Sequence, residues 1–393
     1  MHLLYTLTSY PPAVGGAQTY GHQLAQALAP DHSVAVASHW RTNRTDWLLG
    51  TTLRHPPASA YQIDGIPVNQ LGLSPWQKLT LVPAVLGYYA LMGRALPVIA
   101  EAIAQSLGPL ATTADLIHNV RIGREGLTAA SLQVARWRDI PFLLTPVHHP
   151  RWVGWPYQQY ARLYRQADAL IALTEAEKAV LVEIGVAPEK VHVTGMGPVL
   201  AAQADAESFR QRHGIAGPMV LFLGQHYGYK GYRQLLQATS GVWRQHPDTH
   251  FVFMGPPVGQ SEAIFATHGD RRIHRLGVAS LQEKTNALAA CSLLCVPSFQ
   301  ESFGGVYVEA WSFAKPVVGG AIPALREVIR EGVDGYLVDQ QADQISDRIN
   351  YLLHHPTIAA TLGRAGYVKV QQRYQWPQLA RQTLGIYQKT LVG

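Results

Sequence analysis

Short apolar runs alternate with longer, helix-like stretches along the whole chain. Residues 3–8 and 33–38 flank a helical stretch from about 18 to 28, which predicts a strand, helix, strand unit. Further apolar runs in the first half lie at 115–118, 142–145, 169–173 and 191–194. Runs that are apolar at nearly every position are typical of parallel strands covered on both faces.

The pattern is interrupted by glycine and proline at 195–198 and restarts with the apolar run 219–224. More strand-like runs follow at 250–255, 272–277, 293–296, 316–318 and 335–338. We therefore expect an α/β protein with two doubly wound, Rossmann-like parallel-sheet domains, residues 1–198 and 199–375. Such sheets bind ligands at the carboxyl ends of their strands, so we expect a cleft shared by both domains.

Composition narrows the class of protein. The 393 residues are 47% hydrophobic and only 15% charged, which excludes a disordered, collagen-like or coiled-coil chain. The formal net charge of +6 suits an anionic partner: a phosphorylated ligand, a membrane surface or a nucleic acid. No stretch has the arginine-rich, aromatic-interleaved pattern of a nucleic-acid groove, so no nucleic-acid partner is expected.

The two cysteines, Cys291 and Cys295, stand four apart in one apolar run. We expect both on one strand, buried and reduced, as in a cytosolic protein. No further ligands stand at a metal-site spacing, and no metal is expected. The N-terminus has no basic region before its apolar run and predicts a first strand, which favours a cytoplasmic protein.

One segment leaves two interpretations open. Residues 79–93 carry no charge, and the run is flanked or punctuated by Trp76, Lys78, Tyr88, Tyr89 and Arg94. The segment is too short to span a bilayer, which takes roughly 20 residues. It is either a helix packed inside the domain or a segment in peripheral contact with the inner face of a membrane.

A long motif at 297–310 carries the candidate chemistry. Glu301 and Glu309 stand eight positions apart, in a loop and in the helix that follows it. Gly304 and Gly305 at the helix start allow backbone N–H groups to approach a phosphate closely. Glu309, one turn inside, is placed to accept both hydroxyls of a nucleotide ribose, and Glu301 can bind another polyol such as a sugar.

This Glu-x7-Glu motif, with its Pro-Ser prefix and the continuation through residue 318, resembles the retaining, GT-B-fold glycosyltransferases of family 4. The resemblance implies a nucleotide-sugar site at Glu301, Glu309 and the segment between them, Ser302, Phe303, Gly304 and Gly305. It also implies that a C-terminal helix, residues 376–393, returns to the N-terminal domain. The N-terminal domain would bind the acceptor and the C-terminal domain the donor.

The segment 224–231 is similar to the family's Gly-Arg-x4-Lys-Gly loop, with Gln225 in place of the usual arginine. The resemblance implies that Lys230 neutralises the departing diphosphate. Gln225 removes a fixed charge from this donor-binding loop, for which Arg233 or another nearby cation would compensate.

The first domain has a Gly-Gly loop at 11–17, and no Gly-x-Gly-x-x-Gly fingerprint is present. By resemblance, Gly15 and Gly16 would contact the donor from the opposite side of the cleft. Family members also carry a histidine after the strand at 142–145. His149 is the first candidate for it and His148 the second; His118 is a weaker candidate, for which packing is an equal alternative.

The resemblance implies a metal-independent reaction without a cofactor. A hexosyl group would pass from a UDP- or GDP-sugar to a hydroxyl of a sugar, glycolipid or polysaccharide acceptor, with its anomeric configuration retained. Lys230 and the helix start would stabilise the leaving group, and Glu301 would bind the sugar. Two alternatives stay open: a GT-B sugar-nucleotide hydrolase or epimerase, and a non-catalytic binding subunit of a polysaccharide-assembly complex.

Overall fold

The computed structural model describes residues 1–13, 15–42, 47–149, 152 and 154–392. Within these residues the strands are β1 (His2–Ser9), β2 (Ser33–Trp40), β3 (Ser59–Ile63), β4 (Ile66–Gln70), β5 (Leu116–Val120), β6 (Phe142–Thr145), β7 (Ala169–Ala172), β8 (Val191–Val193), β9 (Met219–Leu223), β10 (His250–Met254), β11 (Ile273–Gly277), β12 (Leu293–Val296), β13 (Val317–Gly320) and β14 (Tyr336–Val338).

The α-helices of the same residues connect these strands. They are α1 (Gly16–Leu28), α2 (Trp47–Gly50), α3 (Pro75–Leu86), α4 (Met92–Leu107), α5 (Gly126–Arg138), α6 (Gln158–Gln166), α7 (Glu175–Glu183), α8 (Ala206–Arg212), α9 (Tyr232–Trp243), α10 (Ser261–Ala266), α11 (Leu281–Ala290), α12 (Gly305–Trp311), α13 (Pro323–Val328), α14 (Ala342–His354), α15 (Pro356–Arg373) and α16 (Trp376–Val392).

The chain folds into two compact units. Unit 1 contains Met1–Met196 together with Trp376–Gly393, and unit 2 contains Gly197–Gln375. Each unit is built on a parallel sheet with helical connections, which confirms the predicted fold class of two α/β domains.

Unit 1 has an eight-stranded sheet in the order β3-β4-β2-β1-β5-β6-β7-β8. All neighbours pair in parallel except β3 and β4, which form an antiparallel hairpin. Every residue of β5, β6 and β7 is buried, as expected for parallel strands covered on both faces. The hairpin was not predicted, although its Asp64-Gly65 turn, with φ of 47° and 81°, is a common hairpin signal.

Unit 2 has a six-stranded parallel sheet in the order β11-β10-β9-β12-β13-β14. The cysteine prediction needs one correction. Both thiols are free and buried, but Cys291 follows the last turn of α11, and Cys295 alone lies on a strand, β12. The apolar run therefore contains a helix end as well as a strand, because the chain turns into the sheet at Ser292.

Helix α16 is part of unit 1 through a buried chain of hydrogen bonds. The Tyr387 hydroxyl lies 2.7 Å from the Tyr5 hydroxyl and 2.6 Å from His118 Nδ1. His118 Nε2 lies 2.8 Å from Thr145 Oγ1. Burial lowers the pKa of His118 to about 3, so the ring is neutral and joins α16 to β1, β5 and β6. Of the two predicted roles for His118, the structure favours packing.

The uncharged segment forms most of α3 and the turn that leads into α4. Helix α3 buries Leu81 and Val85, whereas Trp76, Leu79 and Leu86 are exposed to 71%, 61% and 80%. The expectation of a helix packed inside the domain is therefore wrong for its outer face.

None of the helices in the described part of the chain is long and apolar enough to cross a membrane.

Replacing Tyr387 by Phe tests the attachment of α16. The variant leaves His118 Nδ1 and the Tyr5 hydroxyl without this buried partner, which should lower the free energy of unfolding by about 1–3 kcal/mol. Urea unfolding of the whole chain measures the change. Tyr367→Phe, at a half-buried position of α15, is the control and should differ little from wild type. Equal stability of Tyr387→Phe and wild type would contradict the assigned role.

Candidate functional site

The loop between β9 and α9 holds Lys230 at the carboxyl edge of the sheet of unit 2. It ends in a helical turn, Gly228–Lys230, followed by Gly231 with φ of 81°. A Cβ atom at Gly231 would lie 2.5 Å from the Pro297 carbonyl oxygen, so both the backbone angle and the close approach require glycine. This glycine lets the Lys230 loop pack directly on the loop after β12.

Backbone and side-chain hydrogen bonds join these two loops. The Phe299 N–H donates to the Tyr229 carbonyl over 2.9 Å. Gln340, just after β14, donates from Nε2 to the carbonyls of Tyr229 and Pro297, at 2.8 and 2.6 Å. Gln340 was not among the predicted site residues, because nothing in its neighbourhood marks a contact with residues 43 and 111 positions earlier.

The contact between the loops brings together Lys230 and Glu301. Lys230 Nζ lies 2.5 Å from Glu301 Oε1, and the two side chains are exposed to only 20% and 10%. Lys230 Nζ also lies 5.5 Å from the centre of the Tyr229 ring. The spacing of 71 residues between the two groups is closed by the sheet, since β9 and β12 are adjacent strands. A cation and a carboxylate thus share one partly dry position.

Glu309 has a cationic partner of its own. Lys284 of α11 donates from Nζ to Glu309 Oε1 over 2.6 Å, with Glu309 exposed to 8% and Lys284 to 24%. Lys284 was also missed, because it stands in an ordinary polar helix start. Both carboxylates of the Glu-x7-Glu motif are therefore paired with lysines.

The start of α12 depends on glycine. Gly304 has φ of 82°, and a Cβ there would approach the Tyr307 ring to 2.5 Å. The Tyr307 hydroxyl donates to the Val296 carbonyl over 2.6 Å, which fixes the helix against the end of β12. Gly305 is the first helical residue, and Glu309 lies in the second turn.

The remaining predicted residues of this site differ in accessibility. Phe303 is buried, with its ring 5.3 Å from that of Tyr374, so its side chain has a packing role. Ser302 and Gln225 are half-buried in their loops. Arg233 is exposed on α9, where its Nε–H donates to the Tyr232 hydroxyl over 3.1 Å.

The far end of α12 rests on a buried ion pair. Trp311 donates from Nε1 to the Asp334 carbonyl over 2.8 Å, and the Asp334 carboxylate lies 2.5 Å from Lys369 Nζ. The Asp334 side chain is fully buried and that of Lys369 is 7% exposed. Arg330 Nε also lies 2.6 Å from the Asp334 carboxylate, so two cations hold Asp334 and, through Trp311, the far end of α12.

The glycine loop of unit 1 leads into α1. Gly15 has extended backbone, and its carbonyl accepts the Thr19 N–H over 2.9 Å. A Cβ at Gly15 would collide with Gln18 Oε1, whereas Gly16 has open space at its Cβ position. Val14, within the same motif, lies outside the described residues.

The two candidate histidines after β6 differ in burial. His148 is 3% exposed, its Nδ1 lies 3.1 Å from the Tyr164 hydroxyl, and burial lowers its pKa to about 4. His149 is half-buried, with its ring 4.9 Å from that of Trp152. The more accessible ring is that of His149, the first candidate of the two. Pro150, next in the motif, lies outside the described residues.

A buried carboxylate holds the segment after β6 that carries His148 and His149. Glu177 of α7 accepts the His148 N–H at Oε1 over 2.6 Å and the Leu173 N–H at Oε2 over 2.8 Å. Burial raises the pKa of Glu177 to about 7, against the opposing effect of these two hydrogen bonds. Glu177 was not among the predicted site residues, although a threonine three positions before a glutamate is a common helix-start signal.

Among the described residues, no group of three or more His, Cys, Asp and Glu side chains is placed to hold a metal ion.

Two family models match most of the chain. Residues 205–369 match the model described as glycosyl transferases group 1, and residues 15–197 match the glycosyl transferase 4-like domain. The chain belongs to this family of GT-B glycosyltransferases, and the protein is a glycosyltransferase.

Individual relatives agree with this assignment. The MMP alpha-(1->4)-mannosyltransferase of Mycolicibacterium hassiacum is 27% identical over 306 residues, which cover 70% of this chain and 71% of that protein. The D-inositol 3-phosphate glycosyltransferase of Kribbella flavida is 26% identical over 409 residues, 95% of this chain and 90% of that one. The structure of Anabaena HepE in complex with UDP-glucose has a TM-score of 0.77 at 18% identity, covering 99% of this chain and 100% of that one. That structural likeness shows the fold.

The Glu177 carboxyl predicts a pH dependence of stability. Its pKa in the folded chain, about 7, is above the ordinary 4.5, so its stabilising contribution is complete below about pH 4.5 and is lost as the pH rises through about 7. In Glu177→Gln this dependence is absent. The free energy of unfolding of wild type minus that of the variant should therefore fall by up to roughly 3 kcal/mol from about pH 4.5 to about pH 8.

Urea unfolding at a series of pH values measures this difference. Glu175→Gln, an exposed position two residues earlier in α7, is the matched control and should keep the wild-type dependence. A Glu177→Gln variant whose stability follows the same pH dependence as wild type would contradict the assignment.

Proposed function

We propose that the protein transfers a hexosyl group from a UDP- or GDP-hexose to an acceptor hydroxyl, with retention at the anomeric carbon and without a metal ion. The observation that carries the proposal is the Lys230 and Glu301 pair, 2.5 Å apart at the joined ends of two adjacent strands. An ammonium beside a carboxylate can bind the two different parts of a sugar nucleotide side by side: Lys230 binds the diphosphate, and Glu301 accepts hydrogen bonds from sugar hydroxyls.

Lys230 stabilises the charge that develops on the leaving group. In the transition state the bond from the anomeric carbon to the phosphate oxygen lengthens, and negative charge collects on the diphosphate. A cation held in a partly dry position stabilises that charge more strongly than it would in water. Backbone N–H groups at Gly304 and Gly305 add to this effect. The absence of an arginine at Gln225 makes the reaction depend strongly on Lys230.

Glu309 fixes the nucleotide through the ribose. Its Oε1 is held by Lys284, so Oε2 is the atom left to accept ribose hydroxyls. Because the carboxylate is nearly buried and α12 is fixed at both ends, little ordering is needed on binding. This interaction is present in the ground state and in the transition state alike, and so it contributes mainly to affinity.

Retention follows from attack on the face that the leaving group departs from. The acceptor oxygen forms a bond to the anomeric carbon as the bond to the diphosphate breaks, and the acceptor proton passes to the departing phosphate oxygen. We assign Glu301 to sugar binding and not to nucleophilic attack, since its Oε1 is already engaged by Lys230. We assign a contact with the donor sugar to His149, whose ring is the more accessible of the two candidate histidines after β6.

The names of the relatives support a hexose donor and a polyhydroxylated acceptor. Those with 26–27% identity are called a mannosyltransferase and a D-inositol 3-phosphate glycosyltransferase. A neighbour in fold was solved with UDP-glucose. We propose a sugar, glycolipid or polysaccharide as the acceptor.

We also propose that the protein works on the cytoplasmic side of a membrane, in peripheral contact with it. The uncharged segment 79–93 and the exposed outer face of α3 support this location.

Lys230→Ala and Glu309→Ala separate the two roles. Glu309→Ala loses hydrogen bonds to the ribose, so the Kd for UDP or GDP should rise by about 10- to 100-fold. Lys230→Ala loses transition-state stabilisation, so the rate of donor cleavage should fall by about 100-fold or more, with a smaller change in Kd. Isothermal titration and single-turnover donor hydrolysis measure the two effects.

Two surface variants control this experiment: Lys389→Ala, exposed on α16, and Glu207→Ala in the first turn of α8. Both should behave as wild type. Near-wild-type affinity and rate in both Lys230→Ala and Glu309→Ala would overturn the proposed site.

A further inference from the structure

Helix α3 presents a continuous apolar stripe to solvent. Trp76, Leu79, Pro83 and Leu86 recur at intervals of three and four residues, which places them on one side of the helix. The three large side chains among them are exposed to 71%, 61% and 80%. In a stable surface helix this side usually carries polar residues, so the stripe needs an explanation other than folding.

The stripe continues into the turn after α3. Tyr89 and Leu91 are exposed to 47% and 54%, and the Tyr89 ring lies 6.2 Å from the ring of Trp155, which is itself 54% exposed. We call Trp76, Leu79, Leu86, Tyr89, Leu91 and Trp155 the apolar face. It combines three aliphatic side chains with tyrosine and tryptophan, the aromatic residues that prefer the boundary between lipid and water.

The helix under the stripe is fixed in place. Ser74 and Gln77 form a reciprocal capping box: the Gln77 N–H donates to Ser74 Oγ over 3.2 Å, and the Ser74 N–H donates to Gln77 Oε1 over 2.8 Å. On the inner side, Leu81 and Val85 pack into the core of unit 1. The apolar face is therefore presented by a folded helix and does not depend on a partner to form.

A buried ion pair holds the end of the same element. The Tyr88 hydroxyl donates to Glu125 Oε2 over 2.6 Å, and Arg124 Nε lies 2.7 Å from the same oxygen. Arg124 also donates to the Pro156 carbonyl over 2.8 Å, and its guanidinium lies 5.5 Å from the Tyr89 ring centre. Arg124 thus joins the turn after α3 to the segment that carries Trp155.

The charges beside the apolar face have one sign. Residues 65–100 contain no aspartate or glutamate, and their charged side chains are Lys78 and Arg94. Arg94 is exposed near the start of α4, whereas Lys78 lies on the inner side of α3, where its Nζ donates to the His55 carbonyl over 2.6 Å. An apolar surface with interfacial aromatics and an exposed arginine, and without acidic residues, is complementary to an anionic bilayer.

From these observations we infer that the apolar face inserts into the interfacial region of a membrane rich in anionic lipids, with Arg94 at the level of the headgroups. The inference deepens the proposed peripheral contact by naming the surface and the lipid chemistry. It fits a glycolipid acceptor, whose sugar lies at the membrane surface.

Vesicle co-sedimentation of the intact chain tests the inference without donor or acceptor. With vesicles of phosphatidylcholine containing about 30% phosphatidylglycerol, the bound fraction should be high at low salt and fall as salt screens the headgroups. The partition coefficient for pure phosphatidylcholine vesicles should be at least about tenfold lower. The variant Trp76→Glu with Leu86→Glu should lose about tenfold or more in partition coefficient, because two acidic groups replace apolar anchors.

The matched control replaces one tryptophan and one aliphatic residue outside the apolar face. Trp137→Glu with Val392→Glu changes residues exposed to 54% and 90%, and should bind vesicles nearly as wild type. Unchanged thermal stabilisation by UDP or GDP in both double variants shows that each is folded. Arg94→Glu should weaken binding to the anionic vesicles and leave binding to pure phosphatidylcholine unaltered.

Equal binding to both kinds of vesicle would overturn the inference, and so would an equal loss of binding in both double variants. A third contradicting outcome is a wild-type chain that is dimeric in solution and a Trp76→Glu and Leu86→Glu variant that is monomeric. The last outcome would assign the face to a second copy of the chain. None of these outcomes bears on donor cleavage, so the inference can fail while the proposed transfer reaction stands.

Discussion

The close packing of two loops at the carboxyl edge of the sheet in unit 2 is the constraint on which the candidate site depends. Gly231 permits the approach to Pro297, and Gln340 donates to a carbonyl in each loop. Only because these backbones meet can Lys230 and Glu301, which are 71 residues apart, lie within 2.5 Å of each other. The site is thus a product of adjacent parallel strands, whose ends bring together segments that are distant in sequence.

The same site places both glutamates of the motif beside a lysine in a nearly buried position. An isolated carboxylate would be costly there, and each one has a lysine as its direct partner. The arrangement supports the proposed division of work. Lys230 acts on the leaving group, where charge changes during the reaction, and Glu309 acts on the ribose, where it does not.

The sequence predicted most of the strands, because fully buried parallel strands such as β6 and β7 are apolar at every position. Glu301, Glu309 and Lys230 were candidates from the sequence, since they lie in motifs with strict local spacing, and the structure brings Lys230 and Glu301 into contact. The sequence missed Lys284, Gln340 and Glu177, whose roles come from contacts across the fold. The β3–β4 hairpin was missed because its strands are half-exposed and mixed in polarity. The exposure of the outer face of α3 was missed because an apolar segment has the same sequence pattern whether it is buried or exposed.

The most direct test of the central claim is the stereochemistry of donor cleavage by the purified chain without acceptor. Proton NMR follows the anomeric signal of the sugar released from α-linked UDP- and GDP-hexoses before mutarotation equilibrates it. The account predicts that one donor is cleaved and that the α-anomer appears first, because water attacks the same face of the sugar from which the diphosphate leaves. Initial release of the β-anomer would contradict a retaining transferase built on Lys230 and Glu301.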